Sequence, residues 1–454
     1  MEWYHTAKLL TLPPHPSSSP LSPFPMGEGG EGRGGWVRAN HLETSMDTLW
    51  DHRFAQRTKQ MTSSVIREIL KITAKPDVIS FAGGLPSPEV FPVKEFAAAC
   101  DVVLRERPAE ALQYGLTEGF TQLREFLAKE TQKEGTQVTT DNVLITSGSQ
   151  QALDLLGRIL INPGDRILVE SPTYLGALQA WSAYGAEYVA VPSDEDGMIT
   201  DKLEAALRAG PKLIYALPTF QNPTGVTLTL TRRKRLIELA DKYGVPIVED
   251  DPYSHLRFEG APIPSLMALD SEMRGGCDGC YSGNVIYLST FSKILAPGLR
   301  LAWVIAPPQV IFRMAQAKQG ADLHTATFTQ MVAYQVAYDG FLDRHRELIR
   351  RVYREHRDLM LKAMESEFPK GVQWTRPQGG LFLWVTLPEG NDTTKLLPLA
   401  VEQKVAFVPG SPFFPNGGGE NTMRMNFSNA SPDGIREGIA RLGRVFKENV
   451  KGIR

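Results

Sequence analysis

Between about residues 92 and 338, short apolar runs alternate with longer stretches in which apolar residues recur every three or four positions. Seven of the runs, Asn142–Thr146, Arg166–Glu170, Ala186–Val191, Lys212–Ala216, Pro246–Glu249, Val285–Ser289 and Leu301–Ile305, have the length and the Val/Ile/Leu content of buried strands. The segments Gln150–Ile161, Tyr174–Tyr184 and Leu230–Tyr243 carry helical spacing instead. This alternation predicts an α/β architecture, a mostly parallel seven-stranded sheet with covering helices, in a large domain of residues 92–338. A long amphipathic helix from Phe341 to about Met364, with Leu348, Ile349, Val352, Leu359 and Ala363 on one side, leads out of it. Strands near Val372, Phe382, Val405 and Met423 and a last helix from Pro432 to Phe446 predict a smaller α+β domain over residues 339–454. Residues 46–91 are expected to join it as an N-terminal lid segment.

Residues 1–45 differ in kind. Pro13 to Gly35 mixes proline, glycine and serine with no periodic apolar pattern, the composition of a segment that buries too little surface to order itself. It lacks the continuous apolar core of a secretory signal. The reading is a spurious extension from a misassigned start codon upstream of Met46, with a disordered tail as the alternative.

At 454 residues the chain is long enough for two or three domains of about 150 residues. A net charge of -2 argues against a nucleic-acid surface. Three cysteines, Cys100, Cys277 and Cys280, rule out a disulfide framework and suit a reducing, cytoplasmic compartment. Cys277 and Cys280 form a C-x-x-C with no second pair, and the eight histidines are scattered. The stretch therefore reads as a surface insertion, and no metal site is expected. No apolar run approaches the ~20 residues of a membrane helix.

The candidate chemistry sits at strand ends. In Ser289-Thr290-Phe291-Ser292-Lys293-Ile294-Leu295-Ala296-Pro297-Gly298-Leu299-Arg300, Lys293 falls just past a strand's carboxyl end, where open α/β sheets hold ligands. Desolvation and a neighbouring cation would make its amine available near neutral pH. Hydroxyls at Thr290 and Ser292 and the guanidinium of Arg300 are suited to a phosphate. The set reads as the Schiff-base loop of a pyridoxal-phosphate enzyme. A second apolar strand stops at Glu249-Asp250-Asp251-Pro252-Tyr253. Here Asp250 is assigned to the pyridinium nitrogen, keeping it protonated so that the ring acts as an electron sink, and Tyr253 to the ring oxygen. Asn222, in Gln221-Asn222-Pro223-Thr224-Gly225, offers that oxygen a second partner. The strand, glycine turn and helical pattern around Thr146-Ser147-Gly148-Ser149-Gln150 form an anion cradle of helix-start amides, with Ser149 as the N-cap.

From about Met46 to Phe446 the chain resembles the class I/II aminotransferases of fold type I, closest to the 2-aminoadipate and broad-specificity branch. The resemblance implies pyridoxal 5'-phosphate as cofactor, with Lys293 as its Schiff-base lysine. Asp250, Tyr253 and Asn222 would hold the ring and Tyr174 would stack on its face. Ser147, Gly148, Ser149, Gln150, Thr290, Ser292 and Arg300 would surround the phosphate. Many members carry serine or glycine where this chain has Thr290, which keeps the hydroxyl but adds a methyl. Tyr114, in Gln113-Tyr114-Gly115, resembles the tyrosine that reaches the neighbouring subunit's phosphate, which implies a homodimer with shared active sites. Arg424 resembles the arginine that binds the substrate α-carboxylate by a fork; an arginine inside an apolar run is otherwise costly to bury.

The helix around Ser63–Ile72 and the following Phe81-Ala82-Gly83-Gly84-Leu85-Pro86 resemble the lid of the 2-aminoadipate branch. Arg67 there matches an arginine that meets a distal carboxylate, and Gly84 a glycine whose backbone lines the substrate site. Arg67 turned outward would instead leave an apolar pocket for leucine or aromatic donors. The implied activity is transfer of an amino group to a 2-oxo acid such as 2-oxoglutarate by a ping-pong cycle. A C-S lyase of the same fold is one alternative. A non-catalytic cofactor-sensing regulator is another, although it would need a DNA-binding module that Pro13 to Gly35 does not resemble.

Overall fold

The computed structural model describes residues 49–61, 77–275 and 279–453. Two compact units divide the chain, Met1–Phe54 and Ala55–Arg454. Only residues 49–54 of the first are described, as a turn, so all that follows concerns the second. The proposed disorder of residues 1–45, the position of Arg67 and that of Cys277 lie outside the described residues.

The strands in chain order are β1 (Ile79–Ser80), β2 (Val143–Thr146), β3 (Arg166–Ser171), β4 (Glu187–Asp194), β5 (Gly197–Met198), β6 (Leu213–Ala216), β7 (Ile247–Asp250), β8 (Val285–Thr290), β9 (Ala302–Ile305), β10 (Gln373–Trp374), β11 (Phe382–Thr386), β12 (Val405–Ala406), β13 (Val408–Pro409) and β14 (Thr422–Asn426). The main sheet has eight strands in the order β2-β9-β8-β7-β6-β3-β4-β5. Seven are the runs expected from the sequence; the eighth, β5, is a two-residue antiparallel return on β4, too short to carry a periodic signal. Pairing from β8 through β4 is parallel, and β9 runs antiparallel to β8 and β2.

Both faces of this sheet are buried, which explains why its strands read as unbroken apolar runs. Along β8, Val285 and Tyr287 enter one core and Ile286 and Leu288 the other. Helices Ser149–Leu160 and Leu230–Tyr243 match the expected spans to within a residue or so, whereas Leu175–Ser182 is shorter than its sequence pattern. The long helix runs Phe341–Glu367.

A second, four-stranded sheet of order β10-β11-β14-β13 is antiparallel throughout. Its inner strand β14 puts Arg424 opposite Trp384 and Val408. The segment after Asp77 joins this part of the molecule, since β1 pairs in parallel with β12. No described helix is long and apolar enough to cross a membrane.

Candidate active site

In a parallel sheet every strand delivers its carboxyl end to the same edge. Here that edge receives Thr146, Ser171, Ala216, Asp250 and Thr290 as the last residues of β2, β3, β6, β7 and β8. Because β9 runs the other way, with Ala302 opposite Thr290, Arg300 at its amino end lies on the edge as well. That reversal brings Lys293 and Arg300 to one place. A cavity of about 300 Å³ opens there, lined by residues of both sheets, from Gly84 and Asp250 to Phe382 and Arg424.

The Lys293 Nζ donates to the Gly84 carbonyl at 2.8 Å. Burial, with Arg424 and Arg300 nearby, lowers its pKa to about 8, so a sizeable neutral fraction exists at physiological pH. The acidic run at the end of β7 is sorted by strand periodicity. Glu249 accepts from the amides of Leu266 and Met267 at 2.8 and 2.9 Å, at the start of the helix Leu266–Met273. Asp250 lines the cavity. Asp251 accepts from the Tyr287 hydroxyl at 3.1 Å and the Ser254 amide at 3.0 Å. Burial pushes Asp250 up to about 7; a cation placed against it would restore the ionised form.

On the other wall, Arg424 donates through Nη1 to Asn222 Oδ1 and through Nη2 to the Ala82 carbonyl, each at 2.8 Å. Its guanidinium lies 4.3 Å from the Phe382 ring centre, and burial lowers its pKa to about 10, leaving it charged. Tyr253 interacts with Asn222, and burial raises its phenol and that of Tyr174. Both therefore stay protonated as donors.

Three buried polar atoms in this cavity have no partner within the protein: Asp250 Oδ1, Ser149 Oγ and Arg424 Nε. Orphaned groups of this kind call for a ligand. An acceptor for a ring N–H, a hydroxyl beside a helix start and a guanidinium edge suit a protonated pyridine, a phosphate and a carboxylate. The residues present thus fit pyridoxal 5'-phosphate and an amino acid.

The cradle differs in detail from the expectation. Gly148, at φ 89° and ψ 160°, is the N-cap of the helix that starts at Ser149, so Ser149 is not the cap. The Ser149 hydroxyl is left unpartnered; of the first-turn amides, that of Gln151 already donates to the Gly148 carbonyl at 3.0 Å, which leaves those of Ser149 and Gln150 for a ligand. Ser147 does not line the cavity; its hydroxyl donates to Asp322 at 2.9 Å. Asp322 is held by Gln151 at 2.7 Å and by the fully buried Lys318 at 2.7 and 2.8 Å. Asp322 lies 175 positions along the chain from Ser147, and nothing local in the sequence marks the pairing. The Thr290 hydroxyl accepts from the Ser292 amide and donates to the Leu301 carbonyl, both at 3.0 Å, so it shapes the loop that presents Ser292. Gln150, Thr290, Ser292 and Arg300 line the cavity. Tyr114 does not; it is 78% exposed, edge-on to His324.

Gly148 supports a prediction. Its dihedral angles belong to a region open almost only to glycine, and a Cβ there would collide with the Arg300 guanidinium. Gly148→Ala should cost about 1–3 kcal/mol of strain and push Arg300 out of the cradle. The expected result is a ten- to hundredfold weaker uptake of pyridoxal phosphate at about 1.4 kcal/mol per decade, followed by fluorescence titration of cofactor-free protein. Unchanged affinity would remove Gly148 and Arg300 from the phosphate site.

Sequence reasoning missed Phe382, whose ring carries Arg424, and Tyr215, which stands behind Asp250. A tyrosine in an otherwise aliphatic run is the signal that could have found the latter, since its buried hydroxyl needs a partner. A larger hollow of about 550 Å³ is lined by Arg233, Asp251, His255 and Arg350 among others. Arg233 is committed to the carbonyls of Leu228, Pro264 and Pro218, and no lysine lines the hollow, so size does not make it the reactive site.

The α/β fold type I sheet, with a half-buried lysine and an unsatisfied aspartate oxygen at its carboxyl edge, defines a pyridoxal-phosphate enzyme. Residues 85–442 match the family described as aminotransferase class I and II, and the chain belongs to that family. It is 48% identical over 409 residues to an aromatic-amino-acid aminotransferase of Thermococcus litoralis, covering 88% of this chain and 96% of that one. With the 2-aminoadipate transaminase of Thermus thermophilus it shares 46% over 399 residues, 88% and 97% of the two chains. The crystal structure of an α-aminoadipate aminotransferase from Thermus thermophilus, complexed with N-(5'-phosphopyridoxyl)-L-leucine, superposes with a TM-score of 0.82 at 44% identity, over 88% of this chain and 99% of that one. The enzyme uses pyridoxal 5'-phosphate to transfer amino groups between amino acids and 2-oxo acids.

Proposed function

We propose that this aminotransferase draws amino groups from 2-aminoadipate and from aromatic or branched-chain L-amino acids, passes them to 2-oxoglutarate, and works as a cytoplasmic homodimer. The reading is carried by the meeting, in one cavity, of a lysine near pKa 8, the free oxygen of Asp250 and the fork of Arg424. The relatives that act on 2-aminoadipate and on aromatic amino acids, at 46% and 48% identity, support the choice of donors.

Bound pyridoxal phosphate supplies a conjugated electron sink for the bond being broken. Lys293 Nζ, neutral in part and steered by the Gly84 carbonyl, removes the donor's Cα proton and returns it as general acid. Asp250 holds the proton on the ring nitrogen. Tyr253 and Asn222 hold the ring oxygen, and Tyr174 covers the ring face. Ser149, Gln150, Thr290, Ser292, Arg300 and the backbone at Gly148 surround the phosphate, with Ser147 bracing them from behind through Asp322. Arg424 clamps the α-carboxylate, and Gly84 leaves room beside Phe382, whose ring a Cβ would meet at 3.0 Å. Arg67 is assigned to a distal donor carboxylate on resemblance alone.

We read the eight-stranded sheet and its helices, residues 92–338, as the cofactor domain, and residues 46–91 with 339–454 as the smaller one. Tyr114, Leu112 and Leu116 are 78, 73 and 59% exposed, an apolar group suited to a second copy, whose phosphate Tyr114 would reach.

The test is the near-ultraviolet and visible spectrum of the holoprotein, with 2-aminoadipate, leucine and a cysteine conjugate added separately and no acceptor. Bleaching of the visible band by 2-aminoadipate or leucine, restored by 2-oxoglutarate, is expected. Pyruvate and ammonia released from the cysteine conjugate without a 2-oxo acid would overturn the reading in favour of a lyase.

A further inference from the structure

Asp250 uses its two oxygens differently. Oδ1 has no partner in the protein, while Oδ2 accepts a hydrogen bond from the Tyr215 hydroxyl at 2.7 Å. Tyr215 is fully buried in β6, and it sits opposite Val248 of the neighbouring β7, two residues before Asp250. Its ring is met edge-on by Trp181 at 5.4 Å between centres. The Trp181 indole is in turn anchored to the Leu153 carbonyl at 2.8 Å. Packed this way, the phenol has no water to turn to, and its bond to the carboxylate is charge-assisted.

We infer that Tyr215 is a positioning residue that fixes the Asp250 carboxylate and favours its ionised form, so that the proton shared with the cofactor ring stays on the ring nitrogen. The inference rests on the reading of Asp250 given above. A donor to one oxygen lowers the proton affinity of the whole carboxylate. Burial pushes Asp250 up and the Tyr215 bond pulls it down, with Asp251 on the same strand opposing. Tyr174 and Tyr253 face it from the neighbouring loops, Glu170 of β3 lies near Tyr215, and Lys293, Arg300 and Arg424 are the cations that line the same cavity. Among the described residues, only Tyr215 donates a side-chain hydrogen bond to Asp250.

Without the phenol, Asp250 becomes more basic and draws the proton toward itself. The ring then loses positive charge, and the nitrogen joining Lys293 to the cofactor becomes more basic. In Tyr215→Phe, the pH midpoint of the bound cofactor's visible absorbance should rise by about half to one unit. The affinity of cofactor-free protein for pyridoxal phosphate, read by fluorescence, should fall about tenfold. The kcat should fall about tenfold, with the donor KM moving less than about twofold. Tyr215→3-fluorotyrosine, whose phenol is a stronger donor, should move the midpoint down. Trp181→Phe, which disturbs the packing and keeps the hydroxyl, should lower the melting temperature and leave the midpoint in place. A midpoint that ignores both Tyr215 variants, or that follows Trp181→Phe equally, overturns the inference. A wild-type protein without a visible cofactor band would instead refute the assignment of the site.

Discussion

Lys293→Ala should lower turnover by about 10⁴-fold or more and still take up pyridoxal phosphate. The size follows from the absence of a substitute base. Tyr174 and Tyr253 line the same cavity, but burial raises both phenols, which leaves them as donors. Asp250 is the remaining carboxylate in the cavity lining, and in the proposed reading it is engaged by the ring nitrogen. Single-turnover absorbance with a donor amino acid measures the step, and turnover within about tenfold of wild type would reassign the base. The same residue has a signature in stability. Its pKa is about 8 in the fold against 10.5 ordinarily, so between these values the folded protein binds fewer protons than the unfolded. Wild-type cofactor-free protein therefore gains stability from this group as pH rises from about 8 to 10.5, because the cost of burying the ammonium disappears. Relative to it, Lys293→Met should be most stabilised below pH 8, and that advantage should be gone by about pH 10.5, in urea midpoints compared across pH. A pH-independent difference would mean that the amine is not desolvated as the fold implies.

The legibility of this chain in its sequence follows burial. Strands β3, β6, β7 and β8 are covered by helices on both faces, so each stands out as an apolar run, and Lys293, Asp250 and Asn222 follow such runs at the edge where ligands bind. Of the two-residue strands, β10 and β12 lie by the expected Val372 and Val405, whereas β1, β5 and β13 have no period to read. The strand-end reading puts Asp250 on the cofactor, but nothing local in the sequence sets it apart from Glu249. The structure supplies the physical reason, since Glu249 is consumed by the amides of Leu266 and Met267.

Long-range pairings were not legible. Ser147 as a phosphate ligand and Ser149 as a cap are local readings, and each is displaced by something the local sequence does not contain. The Asp322–Lys318 pair claims the first hydroxyl, and the backbone angles of Gly148 take over the second role. Tyr215 falls inside the expected strand Lys212–Ala216, and its hydroxyl partner lies 35 positions away, where the local sequence does not show it. The hydrogen-bond partners of polar groups, more than the elements that carry them, were what the sequence left open.

Arg424→Gln should lower kcat/KM for the donor and for the 2-oxo acid by the same order, about 10²- to 10³-fold. Every donor and every acceptor presents a carboxylate next to the reacting carbon, and Arg424 is the cation of the cavity lining whose buried Nε is unpartnered. Its Nη1 and Nη2 rest on Asn222 and the Ala82 carbonyl, so the guanidinium is fixed before substrate arrives and little ordering is needed on binding. Glutamine keeps polar contact with one of those partners and removes both the charge and the fork. Cofactor uptake should change little, because no phosphate ligand is altered. Folding stability should hold as well, since burial already opposes the charge and losing it relieves that cost. The loss should therefore fall on KM in both half-reactions, where that of Lys293→Ala falls on kcat. Steady-state kinetics with varied donor at fixed 2-oxoglutarate, and the reverse, separates the two. A defect confined to dicarboxylic donors would instead give Arg424 the distal carboxylate and leave the α-carboxylate clamp to another residue.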